Sequence, residues 1–382
     1  MNNKEFLRQL PDYEGSGSTR FAFIKAFHVD GALFLLLLAL ACYGLIVLYS
    51  ASNQNMDVLF TQIQKFLLAF FVMLSIAQIP PRFYRGFSPF FYGVIIILLI
   101  AVLIFGPDIK GAQRWLVIPG LPRFQPAEFM KLVMPMMISW YLSDQILPPK
   151  TRYIFITLTL ILVPTALIAK QPDLGTALLI SASGLFVLFL AGIHLRVILT
   201  FTVGAIASAP LLWIFYMHDY QKQRVLTLFN PELDPHGAGW NIIQSKTAIG
   251  SGGFSGKGWL QGTQSQLDFL PESSTDFIIA VLAEEFGWLG IVALLAFYLA
   301  IIARCIHISI SAQNTFDRLL AGSISLTFFV YVFVNIGMVS GILPVVGVPL
   351  PLISIGGTAL VSLFSGFGIL MSIHTHKSWM SH

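Results

Sequence analysis

Charge is what this sequence has least of. Only 10% of its residues are charged, against 56% hydrophobic, where soluble domains carry about a quarter charged residues. So few charges cannot cover a water-soluble globule, and a membrane protein is expected. The formal net charge of +4 is scattered over many short segments. No single basic face results, so nucleic acid is not an expected partner. Cysteine is nearly missing as well. Cys42 lies in the first apolar run and Cys305 at a helix end. Neither has a partner or metal-ligand spacing, which excludes a disulfide framework and a cysteine metal site. Both read as apolar packing residues. Repeats and low-complexity tracts are absent, and no stretch looks like a detachable soluble domain.

What the chain has in abundance is long apolar runs. Crossing a bilayer takes about 20 residues. About ten runs qualify, at roughly 31–50, 58–79, 88–105, 127–146, 152–170, 174–193, 196–217, 276–303, 318–340 and 350–373. The expected fold is an all-α integral membrane protein of about ten transmembrane helices, with a large structured extracytoplasmic loop between the seventh and eighth. Residues 1–29 form a cytoplasmic tail, 30–375 the membrane domain, 217–275 the large loop and 376–382 a second cytoplasmic tail. The first run is too long and too closely followed by others to be a cleaved signal. Orientation follows the cations: Lys4, Arg8, Arg20, Lys25, Arg82, Arg85, Lys150, Arg152, Arg196, Arg304, Arg318 and Lys377 fall on the inner side when the N-terminus is inside.

Two outer segments break that rule. One holds Lys110, Arg114 and Arg123, the other Lys222, Arg224, Lys246 and Lys257. Cations kept where topology disfavours them point to an anionic ligand; contact with lipid phosphate is the plainer account. Ionisable groups inside spans are costly and usually functional. Glu128 and Lys131, three apart on one helix face behind Pro126, read as an ion pair lining a polar cavity or as an internal brace. Lys170 to Asp173 reads as a structural corner, with Asp173 capping the next helix. Of Glu284 and Glu285, one is expected to enter a cavity. From Asn335 to Thr358, three prolines and several glycines predict a broken element buried in protein.

The stretch from Tyr220 to Glu285 is polar and glycine-rich, yet it carries Trp240, Phe254, Trp259, Phe269 and Leu270. That is too bulky for a solvated tether, so a folded, functional loop is expected. It ends at Asp276, where a span begins. An acid there is a good helix cap. It also sits at the membrane edge facing the outer cations, with the Gly250–Gly253 amides near it in sequence.

Several motifs then fall into one pattern. These are K-G-A-Q-R-W-L at 110–116, R-F-Q-P-A-E at 123–128, Q-P-D-L-G-T at 171–176, G-W-N-I-I-Q-S-K-T-A-I-G-S-G-G at 239–253, G-T-Q-S-Q-L-D-F-L-P-E at 262–272, T-D-F at 275–277 and V-P-L-P-L-I-S-I-G-G at 348–357. Together they resemble the shape, elongation, division and sporulation family of peptidoglycan polymerases over nearly the whole chain. The G-T-Q-S-Q stretch is more similar to its rod-shape branch than to its division branch. The resemblance implies ten spans in a bacterial inner membrane, with both termini cytoplasmic and the active site periplasmic. It implies a processive glycosyltransferase using lipid II and working with a class B penicillin-binding protein. The family's loop aspartate maps to Asp276, its membrane carboxylate and lysine to Glu128 and Lys131, and its loop arginines to Arg114 and Arg123. Gln244, Ser245 and Lys246, within the 239–253 motif, are further substrate-binding candidates. The family usually has His, Ser and Tyr where this chain has Ser274, Ala127 and Ile355; none of these removes a charge assigned to chemistry.

Chain growth joins a sugar hydroxyl to an anomeric carbon and expels polyprenyl pyrophosphate. Asp276 is the base candidate. Arg114, Arg123, Lys131 and Lys246 are expected on the pyrophosphate. A divalent ion, Mg²⁺ or Mn²⁺, bridging Asp276 and phosphate suits one carboxylate plus phosphate. A polyprenyl-sugar flippase would use Glu128, Lys131 and the broken terminal spans equally well, but needs no base in the loop. A mere scaffold would tolerate loss of Asp276.

Overall fold

The computed structural model describes residues 28–107, 113–117, 124–193, 195–215, 217, 219–234, 237–266 and 272–376. Among them the architecture is helical, with one isolated antiparallel bridge between Leu116 and Phe124. The helices are α1 Gly31–Ala51, α2 Met56–Ala77, α3 Pro81–Phe105, α4 Pro126–Ser143, α5 Thr151–Ala169, α6 Leu174–Leu190 and α7 Leu195–Phe215. After them come α8 Asp219–Phe229, α9 Ala238–Ser251, α10 Ile278–Ile310, α11 Thr315–Val339 and α12 Thr358–Thr375. Seven are long and apolar enough to cross a membrane: α1, α2, α3, α5, α10, α11 and α12. The apolar runs 127–146, 174–193 and 196–217 form α4, α6 and α7.

Local chemistry sets the starts. Asp30 caps α1 by accepting from Leu33 N at 2.9 Å. Asn55 caps α2 through Asp57 N and Val58 N. Pro81 and Pro126 open α3 and α4, where a missing N–H leaves nothing unsatisfied.

Packing divides the interior in two. One core joins Leu33, Leu37 and Leu40 of α1 to Met73 of α2, Tyr298 of α10, Phe328 of α11, and Phe364 and Phe367 of α12. The other joins Leu99 of α3 to Met130 and Met134 of α4, Ile161 of α5 and Ile180 of α6. The outer faces are apolar too: Phe71, Ile97 and Phe155 are more than 60% exposed. That inside-out pattern has its solvent in lipid rather than water.

Between α11 and α12, residues 340–357 form no helix. Leu350, Leu352 and Ile353 are nonetheless buried. The 348–354 part of this segment is therefore packed in protein, as irregular chain at membrane depth requires, whereas Ile342 is 70% exposed.

A break inside α10 fixes the polar segment before it. Gly287 has φ 63° and ψ −156°. Around it, Lys257 N and Gly258 N donate to the carbonyls of Glu284 and Glu285 at 3.0 Å, and Trp288 N donates to Gly253 O at 3.0 Å. A Cβ on Gly287 would lie 2.3 Å from Gly256 N. Gly287→Ala is expected to cost about 1–3 kcal/mol of backbone strain and to loosen this seam. Thermal unfolding in detergent checks it against Gly93→Ala, whose new methyl meets nothing within 4 Å.

Candidate active site

Asp276 lies two residues before α10, and the turn carrying it is pinned on several sides. Ser273 Oγ donates to Ala51 O at 3.1 Å on α1. Ile355 N donates to Ser274 O at 3.1 Å, and Ser354 Oγ donates to Thr275 O. Asn335, fully buried on α11, donates through Nδ2 to Asp276 O at 3.0 Å and to Val348 O at 2.7 Å. The main chain of Asp276 is thereby tied to the irregular 340–357 segment.

Its carboxyl group is not spent on capping. The N-cap position of α10 is Phe277, and no side chain makes a cap bond there. One carboxyl oxygen instead faces Gly347, at 3.5 Å from where a Cβ would stand. Burial, with the negative charge of Glu272 added, pushes the Asp276 carboxyl up to about 6, against a smaller lowering by Arg224. Glu272 itself accepts from Thr275 Oγ1 at 2.6 Å.

A hollow of about 200 Å³ reaches Val346, next to Gly347, and is otherwise lined by residues that include Arg114, Asp173, Gln221 and Arg224, with Asp276 outside its lining. The Leu116–Phe124 bridge sets Arg114 next to the start of α4. Arg114 donates to Pro172 O and has its Nε 3.8 Å from Asp173 Oδ2. Asp173 caps α6 by accepting from Thr176 N at 3.3 Å, and it also accepts from Gln125 at 2.9 Å. Arg224 of α8 reaches Val346 O at 3.4 Å. Two guanidinium groups thus border one hollow, and one of them acts on Asp276.

Glu128 and Lys131 form a buried pair, Nζ to Oε1 2.6 Å. Ser362 Oγ donates to the other Glu128 oxygen at 3.2 Å. Lys131 Nζ also stands 4.8 Å from the centre of the Tyr331 ring. The cavity beside it, about 40 Å³, is lined largely by apolar side chains of α11 and α12. Pair and cavity are both present, but the cavity is small and the cation is already neutralised.

The other sequence candidates divide. Lys246 is exposed and lies across Gly341, where a Cβ would meet its Nζ at 2.6 Å. Gln244 is half-buried. Ser245 is fully buried, with its hydroxyl 3.0 Å from both Ile242 O and Val339 O. It fastens α9 to the end of α11 rather than facing a ligand, because α9 turns that face inward. Arg123 lies outside the described residues.

Three expectations are corrected. Glu284 and Glu285 are both buried, and neither lines the hollow. Glu284 accepts from Lys257 Nζ at 2.7 Å, Thr263 N and Oγ1 at 2.9 Å and Gln264 N at 3.2 Å, while Glu285 accepts from Ser50. Lys257 is therefore an ion-pair partner, not a free outer cation. The Gly250–Gly253 run is no amide cradle for an anion either. Gly252 presses against Ala283 O, where a Cβ would stand at 1.9 Å. Gly252 serves backbone-to-backbone packing on the broken helix, while a Cβ at Gly250 or Gly253 would meet nothing within 4 Å.

Sequence reasoning singled out neither Asn335 nor Glu272, and it placed Arg224 only among the outer cations that point to an anionic ligand. Arg224 was visible as an outer cation on a segment too polar to span. Asn335 was visible as an amide deep in an apolar run.

The FtsW/RodA/SpoVE family model, described as cell cycle protein, matches residues 31–379. Peptidoglycan glycosyltransferase MrdB of Escherichia coli strain K12 is 55% identical over 354 residues, covering 93% of this chain and 95% of that protein. Probable peptidoglycan glycosyltransferase FtsW of Trichlorobacter lovleyi is 35% identical over 358 residues, covering 90% and 92%. Among solved structures, a chain from work on the structural coordination of polymerization and crosslinking by a peptidoglycan synthase complex superposes with TM-score 0.80 at 28% identity, covering 91% of this chain and 97% of that one. The rod shape determining protein RodA of Thermus thermophilus gives 0.69 at 28% identity, covering 92% and 98%. With a family model that matches residues 31–379 and relatives that cover nine-tenths or more of it, this chain belongs to the FtsW/RodA/SpoVE family.

Proposed function

We propose that this chain is a peptidoglycan glycosyltransferase that polymerises lipid II, with Asp276 as the base. The observation that carries the assignment is the Asp276 carboxyl itself. It stands at the start of a membrane helix without capping it, beside a hollow bordered by Arg114 and Arg224. A carboxylate pushed up to about 6 by burial is a stronger base than a solvated one and is still ionised at neutral pH.

A sugar hydroxyl of one lipid II molecule attacks the anomeric carbon of another. Its proton passes to Asp276. The bond from that carbon to the pyrophosphate oxygen breaks, and polyprenyl pyrophosphate leaves with the electron pair. Direct displacement inverts the anomeric centre. Arg114 and Arg224 neutralise the leaving group, with Lys246 and Arg123 as further cations. Lys131, held by Glu128, keeps a positive charge fixed deeper in the bundle.

Among the described residues no group of three or more metal-ligating side chains occurs. Mg²⁺ needs only one or two carboxylates plus phosphate. Asp276 and Glu272, close enough for one charge to perturb the other, fit that donor set and would hold the ion. A bound Mg²⁺ or Mn²⁺ would supply charge neutralisation at the pyrophosphate.

The same reading places ten helices across a bacterial inner membrane, α1–α7 and α10–α12, with both termini cytoplasmic. The 217–275 segment then lies on the periplasmic side, and a class B penicillin-binding protein crosslinks the strands. The cation-rich end of the bundle supports this orientation.

Glycan polymerisation from purified lipid II, with and without divalent metal and the transpeptidase, tests the assignment. The rate should fall about tenfold per pH unit below about 6, as Asp276 takes up its proton. Arg224→Ala should move that acid limb to higher pH, because the lost positive charge had favoured the carboxylate. An acid limb near 4, or one unmoved by Arg224→Ala, speaks against this base.

A further inference from the structure

At the end of the bundle opposite Asp276 there is a cavity of about 290 Å³. It lies where α2 hands over to α3, α10 to α11, and α12 ends. Its polar lining is Arg82, Gln313, Asn314, Asp317 and His376. The Pro80–Pro81 corner and Ile373 supply an apolar wall. Three separate chain segments converge on it, and the polymerase chemistry uses none of them.

Two charges of opposite sign border this hollow without meeting. Asp317 is buried, and its carboxylate accepts from Asn314 Nδ2 at 3.1 Å. Arg82 is exposed at the rim. No ion pair joins them among the described residues. Neighbouring Arg85 is engaged by Asp144 instead. The His376 ring stacks on His28 with centroids 3.8 Å apart, and its Nδ1 stands 3.1 Å from Ser372 O. Burial holds that imidazole below its ordinary range, against a smaller raising by its bond to Ser372 O. The lining carries one guanidinium, Arg82, and one carboxylate, Asp317, and the Arg85 charge also acts on Asp317.

A simple anion suits Arg82 but is repelled by Asp317, and a simple cation meets the reverse. A ligand carrying both charges a few ångströms apart satisfies both. The hollow has room for roughly 10 waters at their liquid volume, ample for a small headgroup. On the adjoining face of α3, Phe83, Phe87 and Phe90 form an exposed apolar stripe that starts beside Arg82. Such a stripe is where acyl chains would lie.

We propose that this cavity binds a zwitterionic phospholipid whose head joins a phosphodiester to a primary ammonium, the phosphate on Arg82 and the ammonium on Asp317. The N–H groups of the ammonium donate to the carboxylate. A quaternary ammonium has no such hydrogens and is a poorer fit, and a purely anionic head is poorer still.

Native mass spectrometry of the full-length chain in detergent tests this with phosphatidylethanolamine, phosphatidylglycerol, phosphatidylcholine and inorganic phosphate. Phosphatidylethanolamine should bind about tenfold more tightly than the other two lipids, which is about 1.4 kcal/mol. Asp317→Asn should erase that preference while phosphatidylglycerol binding holds or rises. Arg82→Ala, at an exposed position where folding is not at stake, should weaken phosphatidylethanolamine and phosphatidylglycerol alike. Equal binding of the three lipids by the wild type overturns the proposal. So does a preference that survives Asp317→Asn, binding indifferent to Arg82→Ala, or inorganic phosphate competing as well as the lipid.

Discussion

Asp276→Asn should abolish polymerisation of purified lipid II while leaving a folded protein. Loss of a general base removes about 10²- to 10⁴-fold in rate, and loss of a metal ligand at the same carboxylate would deepen the defect. The stability effect runs the other way. Burial raises this carboxyl's folded-state affinity for a proton, to about 6 from 3.8. The unfolded chain thus releases the proton first, and ionisation between those values costs the folded state stability as pH rises. A neutral amide escapes that cost. At pH 7 the Asn variant should melt no lower than the wild type, since no cap bond is lost. An inactive variant that also melts much lower would point to a structural role. Normal glycan product would end the catalytic assignment.

Lys131→Ala carries the second large effect, through a different route. Glu128 and Lys131 are both buried and 2.6 Å apart. Removing one leaves the other as an uncompensated charge away from water, at about 3–5 kcal/mol. The single variant should therefore melt low and polymerise little. That outcome alone does not separate a brace from a working cation. Glu128→Gln combined with Lys131→Met removes both charges at similar volume and should recover most of the stability. If polymerisation stays lost in the double variant, the ammonium charge acts on the substrate. If activity returns with stability, the pair is a brace between α4 and α12. Lys150→Ala, at an exposed position, is the neutral comparison. Lys257 is not, because its ammonium is bound by Glu284.

The helices were legible because lipid imposes a simple rule on sequence. Each span needs a long run of apolar side chains whatever it packs against, so the apolar runs fall on helices, seven of them long and apolar enough to cross a membrane. The run expected at 350–373 starts later, at Thr358, because Pro349 and Pro351 cannot donate the N–H groups a helix needs. The eighth run extends to Ile310 because Arg304, whose stem is apolar, ends in a salt bridge to Asp30 at 2.7 Å. The motifs likewise carried the family.

What sequence spacing did not reveal was pairing between residues far apart in the chain. Asp276 read as a cap as well as a base; the structure puts Phe277 at the cap and the Asp276 carboxyl beside Gly347. Lys257 and Arg224 look alike as outer cations. The fold gives Lys257 to buried Glu284 and sets Arg224 at the hollow beside Asp276. Hydrophobic burial is recorded in a chain's own periodicity, so one sequence was enough to fix where helices form and that lipid surrounds them. Electrostatic partners lie far apart in the chain, Arg304 and Asp30 being 274 residues apart. Coulomb energy depends on distance in space and on the local dielectric, not on sequence separation. The partner of each distant charge was therefore a matter for the tertiary structure, while a local pair such as Glu128 and Lys131, three residues apart, was legible in the spacing.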